Sequence, residues 1–470
     1  MKINAVYEVC VFFCLFVFAL HITDCKSSEL TNASVSVVQE SWATISNKWG
    51  AFPLKKIQKA AEEGEMSAQY YMGYVYEKGS EVATASDTSF PWVKLAADQG
   101  MVIAQRTLGR KYQFGIGAQT NFGQAFNWYL KAAKSGDADA NYRIGTFYYS
   151  GSGVAQNYSE AATYFRLAAE EGSALGQSCF GYLCREGLGV AKDPAESVKW
   201  FRLASDQGNA EAQRNLGLAY ETGNGIPKDG LEAAKYYRLA AEQGDALAQN
   251  NLGCLYYYGH GVPKDLSEAF NWVKKSAEQG AAIGQFSLGW MFENGIGVET
   301  NYAEAARLML LAANQGNPVA QGNLGWLYGK GFGVPQNFAE GLKWCKMAAE
   351  QGNSDAQKNL PWLQGELNLA NFNDQYQKAK RYQGGNGVPK DPFQAFEWMQ
   401  KAANSEAQTT EVNDALYELG LMYKDGEGTK TNLLESRRYI MLAAIGGQPD
   451  AGYLVGQIYE NGDGVSKDSY

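Results

Sequence analysis

Histidine is almost missing from this chain: among 470 residues there are only His21 and His260. A histidine general base, a Ser-His-Asp triad or a His-ligated zinc site therefore has almost nothing to be built from. Cysteine is sparse as well, at seven residues, three of them (Cys10, Cys14, Cys25) within the first 25. The remaining four, Cys179, Cys184, Cys254 and Cys345, have no framework spacing and are expected to be mostly buried thiols. Basic clusters are absent too. With a net charge of −9 and scattered Lys and Arg, nucleic acid is not an expected partner. No Pro/Ser-rich linker or charge block divides the chain, which favours one extended architecture over several cores.

Only one long apolar run exists, the twelve residues Val9–Leu20. That is the length of a signal-peptide core and too short to span a bilayer. Residues 1–25 are thus expected to be a signal peptide, with cleavage near Cys25. An uncleaved anchor is the alternative, because Lys2 gives only a weakly basic start. Lipoprotein attachment at Cys25 is disfavoured by Asp24. The expected location is secreted or within the secretory lumen, or periplasmic or extracellular in a bacterium, and the rest is expected to be soluble.

What the sequence has in abundance is glycine, 53 residues, and it is periodic. Gly64, Gly100, Gly136, Gly172, Gly208, Gly244, Gly280, Gly316 and Gly352 are spaced 36 apart. Gly73 to Gly325 and Gly79 to Gly331 keep the same step, as does an aromatic slot running from Trp92 through Trp128, Tyr164 and Trp200 to Trp344. Several registers in step over eight periods mark a repeat architecture. Within residues 245–259, Ala248, Leu252 and Tyr256 fall on one helical face. The stretch Gly259-His-Gly-Val-Pro263 must break that helix, since glycine admits positive φ and Pro263 cannot continue it. A second helix, Leu266–Glu278, follows, with its apolar stripe through Ala269, Trp272, Val273 and the small pair Ser276-Ala277. Each period is thus a helix-turn-helix, A then B.

The succession Ala-x-x-Leu-Gly, Gly-x-Gly-Val, Ala-x-x-Trp, Ala-Ala-x-x-Gly resembles the Sel1-like repeat family, relatives of the tetratricopeptide repeats. The resemblance implies an all-α, right-handed α/α superhelical solenoid. The expected organisation is a signal at 1–25, an N-terminal segment with a capping helix (Leu54 to Glu63) at 26–64, and eight regular repeats over 65–352. Next come a degenerate half repeat and connector at 353–373, then further repeats over 374–470 with the last incomplete. Repeat 1 departs from the pattern, with Glu81 in place of the second loop glycine and Pro91 just before Trp92. After Gly352, Pro361 replaces the A-helix glycine and Gly385 arrives half a period late. An isolated helix Ser354–Leu363, an irregular connector to Phe372 and a bend are expected there.

Chemistry is hard to find. His260 lies between loop glycines, where a solvated turn residue is expected. The Gly-x-Gly pairs follow no strand, so no dinucleotide or phosphate is indicated. Asp425-Gly-Glu-Gly428 and Asn461-Gly-Asp-Gly464 lack the ligand alternation of an EF-hand. No catalytic residue, metal or cofactor is expected. The resemblance also raises a second class, since cysteine-rich Sel1-like proteins include β-lactamase-like penicillin binders. Those carry a cysteine pair in each repeat, missing here, and no Ser-x-x-Lys occurs.

The resemblance implies instead a scaffold or adaptor binding a protein partner on the concave face of the solenoid. Two A-helix rows vary while the packing slots do not. From these rows the candidate contact residues are Tyr70, Tyr74, Arg106, Arg110, Tyr142, Tyr182, Arg214, Phe286, Trp290 and Trp326, types that dominate interface hot spots. Packing against the next repeat is the competing use for the aromatics, and exposure of Trp290 and Trp326 decides between the two. Sequons at Asn32 and Asn157 are expected glycosylation sites in a eukaryotic secretory pathway.

Overall fold

The computed structural model describes residues 41–78 and 86–461. The expected signal peptide, Cys10, Cys14, Cys25, Asn32, Glu81 and the turn after Asn461 lie outside the described residues. Every regular element among the described residues is an α-helix. The expected all-α helix-turn-helix repeat is what they form.

Repeat 6 shows why. The Asp245 carboxylate accepts from the Ala248 N–H at 2.7 Å and starts helix A, Ala246–Tyr258. Gly259, at φ 75°, ends it, with the Gly259 and His260 N–H groups both donating to the Leu255 carbonyl. Asp265 then caps helix B, Leu266–Glu278, by accepting from Ser267 and Glu268. The second loop glycine has a different duty. At Gly261, also of positive φ, a Cβ would overlap the carbonyl oxygen of Gly230, at the start of the preceding helix B. In repeats 3 to 8 the loop seats in this way on the repeat before it. The A-helix glycine serves packing within a repeat: a Cβ at Gly217 would stand 2.6 Å from the ring of Tyr237.

A further repeating device is made of glutamines. In repeat 6 the Gln249 amide donates to the Ala241 carbonyl of the preceding helix B at 3.0 Å, and Gln279 donates to Gln249 at 2.8 Å. The pairs Gln207–Gln177, Gln243–Gln213 and Gln351–Gln321 repeat the second bond. In each pair a buried amide, that of Gln177, Gln213, Gln249 or Gln321, is satisfied by an exposed glutamine from the helix B of its own repeat.

The described residues divide into two compact units, one running through Ser287 with Ile296–Val298, the other comprising Leu288–Gly295 and the chain from Glu299. At the start of the first, the expected helix Leu54–Glu62 is accompanied by another, Trp42–Trp49. Ile45, Trp49, Ile57 and Ala61 are buried with Ala68 and Met72 of repeat 1, and the Trp49 indole donates to Ser67 at 3.0 Å.

In the second unit the expectation for 353–373 is corrected. No connector interrupts it: one helix runs unbroken from Ser354 to Gly384, 31 residues, with Pro361 inside. The residues after Pro361 contain neither a Gly-x-Gly nor a second proline, so nothing stops the helix until Gly385 at φ 74°. Pro361 is exposed, as is Gln357 four residues earlier, whose carbonyl it deprives of a helix partner. Leu363 and Phe372 are fully buried.

Candidate partner-binding face

The A-helix rows singled out by their variability turn out to be unequal. Phe286 is 1% exposed, Tyr142 and Arg214 5%, and Tyr182 7%, so these four belong to the interior and are not an open contact surface. Tyr142 and Tyr182 are part of one apolar cluster with Phe165, Phe180 and Phe201. Arg214 donates to Asp245 at 3.1 Å and pairs with Glu211 at 3.4 Å, tying repeat 5 to the cap of repeat 6. Burial pushes the Glu211 carboxyl above its ordinary range, opposed by Arg214.

The N-terminal group is half-exposed but largely engaged. Trp42 lies against Tyr74 with ring centroids 4.2 Å apart and also borders Tyr70 and Tyr71. The Tyr70 hydroxyl meets Thr107 at 3.1 Å, and burial raises its pKa. Arg106 bridges to Asp137 at 3.1 Å, and Arg110, exposed, bridges to Glu77 at 3.2 Å. These contacts join successive repeats. The helix that supplies Trp42 has no repeat glycine, so periodicity gave no sign of it.

Trp290 and Trp326, each half-buried, occupy one register of successive A helices, Ala282–Asn294 and Pro318–Lys330. Around Trp326 the second unit gathers an aromatic cluster. Phe332 meets its ring edge-on at 5.4 Å and stacks on Tyr302 at 5.0 Å. Phe332 and Tyr302 remain 38% and 39% exposed. Neither was singled out by the row analysis, because Phe332 lies between the loop glycines and Tyr302 opens a helix B. Both positions vary from repeat to repeat, and that was the available signal.

His260 is exposed and stacked on Tyr258 at 5.5 Å. Burial pushes the thiols of Cys184 and Cys345 up to about 11, far from a nucleophilic thiolate at neutral pH. Among the described residues no helix is long and apolar enough to cross a membrane, and no group of three or more His, Cys, Asp or Glu is placed to hold a metal ion. Asn157 is exposed and caps helix Tyr158–Glu170 through its Oδ1.

Comparison with known proteins bears on the whole assembly. The Sel1 repeat matches eleven segments: 67–101, 102–137, 138–173, 174–209, 210–245, 246–280, 282–317, 318–353, 374–406, 413–447 and 449–470. The stretch it omits after residue 353 is the first part of the long helix. A protective antigen of uropathogenic Escherichia coli strains, whose crystal structure displays an SLR fold, is 32% identical. That likeness covers 87% of this chain and 91% of the antigen, with a TM-score of 0.57. A Sel1 repeat protein from Oxalobacter formigenes is also 32% identical, over 52% of this chain and 96% of its own, with a TM-score of 0.49. No curated protein matches. With repeats matched along most of its length, the chain belongs to the Sel1 repeat family.

Proposed function

We propose that this chain is a non-catalytic scaffold or adaptor that binds a protein partner, working in the secretory lumen, outside the cell or in a bacterial periplasm. The observation that carries the reading is the partly exposed aromatic cluster Trp326, Phe332 and Tyr302, with Trp290 one repeat earlier in the same register as Trp326. Large rings held half out of water, Trp290, Trp326 and Tyr302 on helices and Phe332 in a tight loop, supply contact area at little cost in side-chain entropy, as binding hot spots require. The apolar run Val9–Leu20 supports the location.

The test is capture from extracellular, lumenal or periplasmic extract by the chain beginning at Lys26, beside a variant carrying Trp290→Ala, Trp326→Ala and Phe332→Ser. Circular dichroism must show that the variant keeps its helices. A partner held by the parent and lost by the variant supports the reading. A partner retained by both moves the face elsewhere, and no partner from any extract sinks the adaptor role. The same reading expects no hydrolase activity, so turnover of nitrocefin by pure protein would overturn its non-catalytic half.

A further inference from the structure

Asparagine is a chemically labile residue, most of all before glycine, whose backbone nitrogen no side chain shields. The chain has four such pairs: Asn224-Gly225, Asn294-Gly295, Asn386-Gly387 and Asn461-Gly462, the last running outside the described residues. The other three are placed differently. The Asn294 amide donates to the Trp290 carbonyl at 2.8 Å, which ties the side chain back along its own helix. Asn224 and Asn386 each lie exposed between two loop glycines. Asn224 is held by its backbone N–H, which donates to the Ala219 carbonyl at 3.1 Å, while its side chain and the following Gly225 N–H donate to nothing in the chain. The Gly387 N–H likewise has no backbone acceptor. Water and base can reach both pairs.

The two loops differ in what they rest on. At Gly225, of φ 80°, a Cβ would stand 2.2 Å from the carbonyl oxygen of Pro194, which opens helix B of repeat 4. At Gly387 the same atom would meet only the Arg381 guanidinium, at 3.6 Å. The first loop is pressed against a neighbouring backbone, and the second is open.

We infer that Asn224 is a self-modification site that converts to isoaspartate, and that this product unseats the loop of repeat 5 from helix B of repeat 4. The Gly225 nitrogen, once its proton is lost to base, attacks the Asn224 Cγ. The bond from Cγ to the amide nitrogen breaks, ammonia leaves, and a succinimide ring remains. Water then opens the ring on either side. Cleavage between the ring nitrogen and Cγ leaves ordinary aspartate. Cleavage between the nitrogen and the backbone carbonyl carbon leaves isoaspartate, whose chain runs through Cβ and Cγ. One water is consumed and one ammonia released, with no change of oxidation state. The isoaspartyl backbone is longer by one bond, about 1.5 Å. That length enters next to Gly225, where not even a Cβ has room. The junction between repeats 4 and 5 therefore loosens as the molecule ages, and the change is independent of any partner on the second unit.

The test is to age the folded full chain at mildly alkaline pH and follow each asparagine by peptide mapping. Hydrogen exchange is then compared between fresh and aged protein. Isoaspartate is expected at Asn224 and Asn386 several times faster than at Asn294. With it, amide exchange should rise several-fold in residues 219–229 and in the first turn of helix Pro194–Asp206, where loss of the seat opens the backbone to water. The same conversion at Asn386 should leave exchange in its neighbours unchanged. Asn224→Gln should remove the effect of ageing on residues 194–229. Fresh Asn224→Asp, which has the charge without the added length, should exchange like the fresh parent. Asn224 intact after Asn386 has converted, conversion with unchanged exchange, or fresh Asn224→Asp exchanging like the aged parent overturns the inference. None of these outcomes bears on capture through Trp290 and Trp326.

Discussion

The eight regular repeats and the helix Ser354–Gly384 are written in similar residues yet obey different stop signals. In repeats 2 to 8 every helix A ends after 13 residues at a glycine of positive φ, and in repeats 3 to 8 the loop that follows fits against the preceding helix B. In the long helix the glycines and the loop they would open are missing, and a proline that ought to break a helix sits within one. Proline alone, on a water-facing side, did not stop the chain. The contrast shows that the loop glycines set helix length here, while proline only adjusts the local cost.

One kind of substitution breaks that comparison most sharply, because its sign reverses between the two regions. Gly261→Ala places a Cβ against the Gly230 carbonyl at a backbone angle alanine avoids. It should destabilise by about 3 kcal/mol or more. Gly365→Ala, exposed in the long helix with nothing near its Cβ, should stabilise by about 0.5–1 kcal/mol. Urea midpoints of the two variants read both signs, and a shared sign would break the distinction. Next in size, Pro361→Ala should stabilise by about 1–3 kcal/mol, since alanine restores a helix hydrogen bond. A neutral or lower midpoint would mean that the long helix depends on its proline.

Within the regular region Gln249→Ala removes the bond to Ala241 and strands Gln279. A loss of about 1–3 kcal/mol is expected by thermal or urea unfolding. The smallest effect concerns Glu221, whose carboxyl is raised from 4.5 by burial, opposed by the hydrogen bond from Tyr237 at 2.7 Å. A carboxyl raised on folding favours the protonated native state. Its stabilising contribution is therefore complete below 4.5 and lost as pH rises through the folded pKa. The gap in stability between the parent and Glu221→Gln should thus shift toward the variant as pH rises from 4 to 7, and a flat difference counts against it.

Periodicity made the fold legible wherever one repeat copies another. The spacing of Gly64 to Gly352 gave the helix pairs, and Gly259 to Pro263 gave the break between them. It was silent where no copy exists, as at Trp42–Trp49, and misleading where half a period is missing, because Pro361 read alone looks like an ending. The candidate face was less legible. Variability of a row says that no single side chain is required there, and this holds equally for a solvent surface and for a core packed differently in each repeat. Phe286 and Tyr182 belong to the second kind, Trp290 and Trp326 partly to the first. Phe332 depends on a contact with Tyr302 of the preceding repeat that no single repeat encodes.

The missing half period has a rotational meaning. Gly385 comes 54 residues after Gly331, one and a half periods, so 18 residues are absent from the second period. The long helix has 31 residues against 13 in a regular helix A, and the 18 extra residues are five whole turns at 3.6 residues per turn, so its end at Gly385 returns to the angular phase of a regular helix A. A lineage of tandem duplications can therefore lose half a unit and still present the same side of the helix to its neighbours. A loss of 16 or 20 residues would rotate every later side chain away from its slot.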